Sequence, residues 1–284
     1  MNNCKLCNST NVFKRNGKVR DNNSIGVLEC YNCGLVFLSS FEHIKNNYYE
    51  ESHQHDDPLE YRTFIEYEND DNRRFEYCKL KIEDKKHLDF GCGEGGFLLK
   101  TQKITKFSYG FELEEKSIMK IRDKKIKVFL SFKEMENYKK YYDIITLFHV
   151  LEHMEDPISI LLELKEYINE TGEIMIEVPN SDDILLNLYN NEGFSNFYWS
   201  CHLYIYNIRF LNLLFKKVGL KINYIQQIQR YPLSNHLYWL ANNYHGGHFK
   251  WSFLDNDMIQ EGYKKTLCSL GMCDTLIANV GLGL

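Results

Sequence analysis

The chain has 284 residues, 44% of them hydrophobic and 26% charged, with a formal net charge of −5. That length accommodates one large core and a small accessory module, and the composition excludes an intrinsically disordered chain. The acidic balance, without a lysine or arginine cluster in any stretch, argues against a nucleic-acid binder, and no apolar run is long enough to span a bilayer.

The first residues, MNNCKLC, show neither a basic n-region nor an apolar h-region, so a cytoplasmic, reducing location is expected. In that setting the nine cysteines point to metal rather than to disulfides. Residues 1–40 read as a zinc-ribbon-like module. Cys4 and Cys7 form one C-x-x-C knuckle, 22 residues intervene, and Cys30 and Cys33 form a second. Four thiolates at this spacing suit one tetrahedral Zn²⁺, with Gly34 letting the chain turn beneath the sulfurs. A site filled by four sulfurs is closed, so its zinc is structural. The remaining cysteines, Cys78, Cys92, Cys201, Cys268 and Cys273, lack ligand spacing and read as buried small hydrophobes.

Residues 41–80 read as a connector containing Pro58, followed by a helix marked by Tyr61, Phe64, Ile65, Phe75 and Leu80. From there to residue 284 short apolar runs at 87–90, 107–111, 127–130, 143–148, 173–178, 220–227 and 275–280 alternate with amphipathic stretches. Strands separated by helices of this length imply βαβ units, a parallel sheet and an α/β fold.

The segment LDFGCGEGGF, residues 88–97, runs from an apolar strand through a glycine-rich turn into a helix. Glycines admit close backbone approach, and a helix start at the carboxyl edge of an open sheet offers unsatisfied N–H groups to a ligand. Taken alone, such a loop fits NAD or FAD equally well. Glu112 lies 21 positions beyond Gly91, at the end of the second strand, where an acid can accept hydrogen bonds from both ribose hydroxyls. The competing reading of Glu112 is a surface charge at a helix start.

Four ordered motifs, LDFGCGEGGFL, GFELEEKSI, YDIITLFHVLEHMEDP and GEIMIEVPN, together resemble the class I S-adenosylmethionine-dependent methyltransferases over roughly residues 80–230. The resemblance implies a doubly wound, mostly parallel, Rossmann-like sheet of seven strands. It also implies S-adenosylmethionine as cofactor, bordered by Asp89, Gly91, Gly93 and Gly95 and held at the ribose by Glu112, with Phe148 nearby. The third strand ends without the acidic residue that often meets adenine, which leaves Phe132 and main chain for that contact. The second half, through His202-Leu-Tyr204 and GGHFKWSFLD, is similar to methyltransferases of bacterial surface-polysaccharide and sugar pathways.

Methyl transfer to a hydroxyl needs alignment, exclusion of water and a proton acceptor of near-neutral pKa, for which histidine is suited. His149, Glu152 and His153 are spaced to share one face of a helix that would begin after the strand at 143–148. His149 and His153 are therefore the expected bases, and His202 and His248 the expected positioning groups. A packing or capping role is the competing reading of His153. Residues 149, 152, 153 and 202 are also similar in spacing to the divalent-metal ligands of methyltransferases acting on the 3′ ends of small RNAs and of some quinone-ring O-methyltransferases. A catalytic metal therefore stands as an alternative. Segments 181–204 and 230–273, rich in aromatics, His and Lys, are expected to cover the acceptor.

The leading expectation is O-methylation of a sugar, a nucleotide sugar or a related surface-glycan precursor, with a small carbohydrate-linked molecule as partner. Sugar C- or N-methylation, a nucleic-acid methyltransferase that grips its substrate through the zinc ribbon, and a non-catalytic binding module are the competitors. The oligomeric state is left open.

Overall fold

The computed structural model describes residues 3–45, 48, 60–122, 126–187, 194 and 197–283. Pro58 and the side chains of Tyr61, Phe64 and Ile65 lie outside the described residues. The chain divides into two compact units: Met1–Phe41 with Leu151–Ile158 and Glu177–Asn279, and Glu42–Val150 with Ser159–Ile176 and Val280–Leu284.

In the second unit, α1 (Glu60–Ile82) carries Lys79 and Lys81 in its last turn, where cations suit the helix dipole. The i,i+3 pairs Arg73–Asp70 and Arg74–Asp71 brace its surface. It is followed by β4 (Lys86–Phe90), α2 (Gly96–Thr101), β5 (Phe107–Phe111), α3 (Glu115–Arg122), β6 (Val128–Phe129), α4 (Phe132–Met135) and β7 (Tyr142–Phe148). Strands β4, β5, β6 and β7 pair in parallel. Then come α5 (Pro157–Lys165), β8 (Ile168–Pro179), α6 (Ile184–Asn187), β9 (Tyr204–Ile205), α7 (Ile208–Lys217), β10 (Leu220–Ile228), α8 (Leu233–Asn242), α9 (Gly247–Lys250), α10 (Asp257–Leu270) and β11 (Thr275–Leu282).

The result is a seven-stranded mixed sheet of order β10-β11-β8-β7-β4-β5-β6, the doubly wound α/β architecture expected. Its centre is apolar: Leu88, Ile145, Leu147, Ile174, Ile176, Leu276 and Ile277 are completely buried. Each contributes about 1.5–3 kcal/mol relative to an exposed position. All seven apolar runs are strands, but β8 starts five residues before the expected 173. After the buried Ile168 it runs through Asn169, Glu170 and Thr171, whose polar side chains break the apolar pattern. Asn169 Nδ2 is instead tied to Asp143 Oδ1 at 2.6 Å.

The N-terminal residues form β1 (Val12–Lys14), β2 (Val27–Cys30) and β3 (Val36–Leu38), all antiparallel. They do not stand as a separate 1–40 module. β3 pairs with β9, Val36 opposite Ile205 and Phe37 opposite Tyr204, completing a four-stranded sheet. A two-residue strand nearly 170 positions away leaves no local pattern in sequence, which explains why the closure was invisible there.

Candidate functional site

After β4 the chain makes its tightest turn. Gly91, Gly93 and Gly95 have φ of +73°, +51° and +75°, a region that side-chain-bearing residues rarely enter. A Cβ on Gly91 would stand 2.4 Å from Val150 Cγ2, so this position has no room for alanine. At Gly93 the same construction meets nothing within 4 Å, which is a backbone cradle open to a ligand. The turn is fixed to β5 by hydrogen bonds from Gly91 N (2.8 Å) and Cys92 N (3.1 Å) to the Phe111 carbonyl.

Glu112 closes this turn. Its Oε2 accepts from Gly93 N at 2.8 Å, and its Oε1 accepts from Leu113 N at 2.7 Å and Glu114 N at 2.9 Å. Three of roughly four acceptor positions on the carboxylate are thus engaged by main chain. Glu112 is a structural tie of the cradle, a contact that the spacing argument did not anticipate.

Asp89 is buried beneath the turn and accepts from Thr146 Oγ1 at 2.6 Å. Burial pushes its carboxyl up to about 7, opposed by the Thr146 hydrogen bond. Behind it a polar chain crosses the core. Thr146 Oγ1 lies 2.9 Å from His87 Nε2, His87 Nδ1 lies 2.9 Å from Ser108 Oγ, and Ser108 Oγ lies 2.9 Å from Thr101 Oγ1. Burial drives His87 down to about 3, so its ring is neutral at physiological pH. No motif marks His87 in sequence; it is buried because β4 is covered on both faces, with His87 and Leu88 both fully buried.

Phe132 lies in an aromatic stack with Phe90, Phe111 and Tyr167 at centroid distances of 5.7, 5.2 and 5.8 Å. Phe148 is buried, edge-on to Phe97 at 5.2 Å, with the Arg74 guanidinium 5.2 Å over its ring.

The helix expected after β7 does not begin at His149. His149 sits at φ +56°, and Leu151–His153 form a single 3₁₀ turn, so residues 149, 152 and 153 do not share one helical face. The left-handed residue breaks the periodicity on which that reading depended. His149 belongs to the unit of the glycine turn, whereas Glu152 and His153 belong to the other.

In that other unit His153 and His202 meet, with rings 4.9 Å apart. His153 Nδ1 lies 2.9 Å from the Cys201 carbonyl, which can only accept, so Nδ1 carries the proton and the lone pair is on Nε2. Cys201 joins them: ligand atoms of His153, Cys201 and His202 lie within 4.8 Å of one another and can hold a metal ion. Cys201 is itself buried, as expected of a cysteine without ligand spacing. Burial keeps its thiol high, at about 12. Cys268 is a correction, since it is exposed rather than buried.

His248 is held elsewhere in this unit. Asn235 Oδ1 accepts from Gly246 N (3.0 Å), Gly247 N (3.1 Å) and His248 Nδ1 (3.0 Å), which shapes the Gly-Gly-His turn around one amide. Tyr231 packs on His248 at 5.6 Å, and Lys250 Nζ donates to the Tyr238 hydroxyl at 2.8 Å.

Near the N-terminus the four knuckle sulfurs converge within 4.8 Å of one another and can hold a metal ion. Cys4 and Cys33 sulfurs are 3.4 Å apart and those of Cys7 and Cys30 3.5 Å. The Cys33 thiol beside it pulls Cys4 down to about 5, which favours a thiolate donor at neutral pH. Gly34, at φ +76°, leaves its carbonyl to Asn207 Nδ2 at 3.1 Å.

A family model described as a methyltransferase domain matches residues 61–225. The chain belongs to this methyltransferase family. The match takes in the glycine turn, Glu112, His149, His153 and His202, and leaves the four knuckle cysteines and His248 outside. Among curated relatives, a tRNA U34 carboxymethyltransferase of Campylobacter fetus is 30% identical over 128 residues, covering 38% of this chain and 42% of that protein. A ubiquinone biosynthesis O-methyltransferase of Yersinia enterocolitica is 27% identical over 108 residues, covering 35% and 44%. The chain thus spans less than half the length of these relatives. Among solved structures, a SAM-dependent methyltransferase from Archaeoglobus fulgidus superposes with TM-score 0.52 at 18% identity, covering 78% of this chain and 98% of that one. Magnesium protoporphyrin IX methyltransferase from Synechocystis, solved with bound SAH, gives TM-score 0.51 at 10% identity, covering 80% and 88%. These likenesses establish the fold of this methyltransferase-family chain. Among its described residues no helix is long and apolar enough to cross a membrane.

Proposed function

We propose that this chain transfers a methyl group from S-adenosylmethionine to a hydroxyl of a small, carbohydrate-linked acceptor, and that Cys4, Cys7, Cys30 and Cys33 hold one structural zinc. The observation that carries the cofactor assignment is the open cradle over Gly93, tied to the Glu112 carboxylate in a member of the methyltransferase family. Bound there, S-adenosylmethionine would supply an electrophilic methyl group. The chain's own part is to bind, orient and deprotonate. Glu112 has one acceptor position left for a ribose hydroxyl, and the Gly93 N–H can exchange its bond to Glu112 for one to the ligand. Asp89 contributes a buried carboxyl whose charge is set by Thr146 and by its apolar surroundings.

His153, with its lone pair on Nε2, is the base we assign, and His149 the second candidate; His202 and His248 position the acceptor. Aromatic side chains beside Lys250 and His248 favour a sugar ring, since planar faces pack on its C–H groups while cations meet its oxygens. A screen of nucleotide sugars and sugar phosphates with labelled cofactor tests the acceptor class; methylation of tRNA but of none of these sugars would contradict it.

The close approach of His153, Cys201 and His202 favours a second reading, in which these three donors hold a divalent metal at the acceptor side. Loss of activity in chelator, with recovery on Mg²⁺ or Mn²⁺ while the zinc content stays constant, would establish it.

A further inference from the structure

Arg20 lies outside the span matched by the family model and carries no motif. Its backbone N–H donates to the Tyr198 carbonyl at 2.9 Å, and Val19 forms a parallel bridge with Tyr198, so this stretch is pinned alongside residues 198–200. The neighbouring Asp21 locks the register. Its Oδ1 accepts from Ser200 N at 2.9 Å and its Oδ2 from Ser200 Oγ at 2.5 Å. The carboxylate nearest in sequence to Arg20 is therefore committed to Ser200.

The Arg20 guanidinium itself lies over the Trp199 ring, 3.7 Å from the centroid. A cation–π contact leaves N–H donors of the fork unspent. Among the described residues Arg20 makes no ion pair, and it remains exposed. Trp199 also meets His202, whose ring is 6.1 Å away and which contacts His153. Cys201, Asp21, Tyr231 and Tyr244 stand within electrostatic range of the guanidinium. A planar cation, set over an aromatic ring and neighboured by an Asp21 carboxylate whose oxygens are held by Ser200, adjoins the His153–His202 pair within one compact unit.

We propose that Arg20, backed by Trp199, is an oxyanion-binding site that recognises a phosphate or carboxylate group on the acceptor. This deepens the reading above and rests on it, because it places a negative group on the small molecule beside the histidines assigned to deprotonation. An N-terminal segment otherwise devoted to zinc thereby contributes a specificity residue. A guanidinium fork matches the two oxygens of either group, so the chemistry is shared and the source is decided by experiment.

The test uses the full-length, zinc-loaded protein labelled with ¹⁵N at its three tryptophan indoles, the Trp199 signal being identified with Trp199→Phe. Inorganic phosphate and acetate are titrated separately, and S-adenosylhomocysteine affinity is measured on every variant. A saturable shift of the Trp199 signal is expected, with phosphate preferred if the acceptor is phosphorylated and acetate preferred if it is a carboxylic acid. Arg20→Ala should weaken that binding about tenfold or more, the effect of deleting a charge-assisted pair. Arg20→Lys should fall between, keeping the charge and losing the fork. S-Adenosylhomocysteine affinity should be the same in all three proteins. If neither anion moves Trp199, or Arg20→Ala binds them as wild type does, the oxyanion site is overturned even though the cofactor binds. A single-stranded RNA oligonucleotide that shifts Trp199 at far lower concentration than inorganic phosphate, through Arg20, would overturn the small-molecule assignment. Failure of S-adenosylhomocysteine to bind would instead remove the methyl-transfer reading, and the anion titration would still be read on its own.

Discussion

Asp89 and His87, two residues apart on β4, share one face at Thr146 and titrate in opposite senses. Asp89 has its folded-state pKa raised to about 7, so the stability it contributes is fully present below pH 3.8 and is lost as pH rises through 7. His87 has its folded-state pKa lowered to about 3, so its contribution is present above 6.5 and is lost as pH falls toward 3. Between roughly pH 4 and 6.5 the two slopes oppose each other, because folding moves a proton from the histidine to the carboxyl. Asp89→Asn removes one side of this balance. Its urea midpoint should therefore fall more steeply than that of wild type as pH drops from 6.5 to 4, and parallel pH profiles would show that Asp89 is ionised in the core. The fold fixes the tautomer of His153 through the Cys201 carbonyl. His153→Ala should lower turnover by about 10²–10⁴-fold, with S-adenosylhomocysteine affinity nearly unchanged. A loss of cofactor affinity equal to the loss of turnover would assign His153 to packing.

The element scale shows where sequence pattern was sufficient and where it was not. Central strands such as β7 and β8 were legible because a strand covered on both faces needs a near-continuous apolar run, and the fully buried Ile174, Met175 and Ile176 of β8 are such a run. β9 was not, since two residues carry no period and its pairing with β3 depends on long-range docking. The link between the knuckles and α7 was hidden for the same reason. Asn207 caps α7 by accepting from Phe210 N at 2.8 Å while its amide donates to Gly34 beneath the sulfurs. Asn207→Ala should cost about 1–3 kcal/mol in urea unfolding, whereas Asn207→Asp keeps the cap and loses only the bond to Gly34. Equal losses in the two variants would mean that only the Gly34 contact counts. For the knuckles, metal analysis should give about one zinc per chain. Cys30→Ser should release it and abolish slow amide exchange in β1, β2 and β3. Zinc-free protein with those strands still protected would contradict a structural metal.

For the molecule as a whole, the glycine turn was more legible than the histidine cluster. Gly91, Gly93 and Glu112 announce themselves because a left-handed turn admits few residue types and an acid at the end of the next strand lies a fixed distance along the βαβ unit. His153, Cys201 and His202 meet only through tertiary packing. The expectation of a shared helix face failed at one left-handed residue, His149. Arg20 was silent, being one cation in a stretch whose pattern spoke only of metal. Methyl transfer by this chain requires a nucleoside cofactor at the glycine turn. Titration calorimetry of the zinc-loaded protein with S-adenosylhomocysteine, and with NAD as the competing ligand of such turns, tests that most directly. The prediction is one S-adenosylhomocysteine per chain, no NAD binding, and an affinity loss of about 1.5–3 kcal/mol in Glu112→Ala, whose ribose partner is gone. Preferential binding of NAD, or a Glu112→Ala variant with unchanged affinity for S-adenosylhomocysteine, would contradict it.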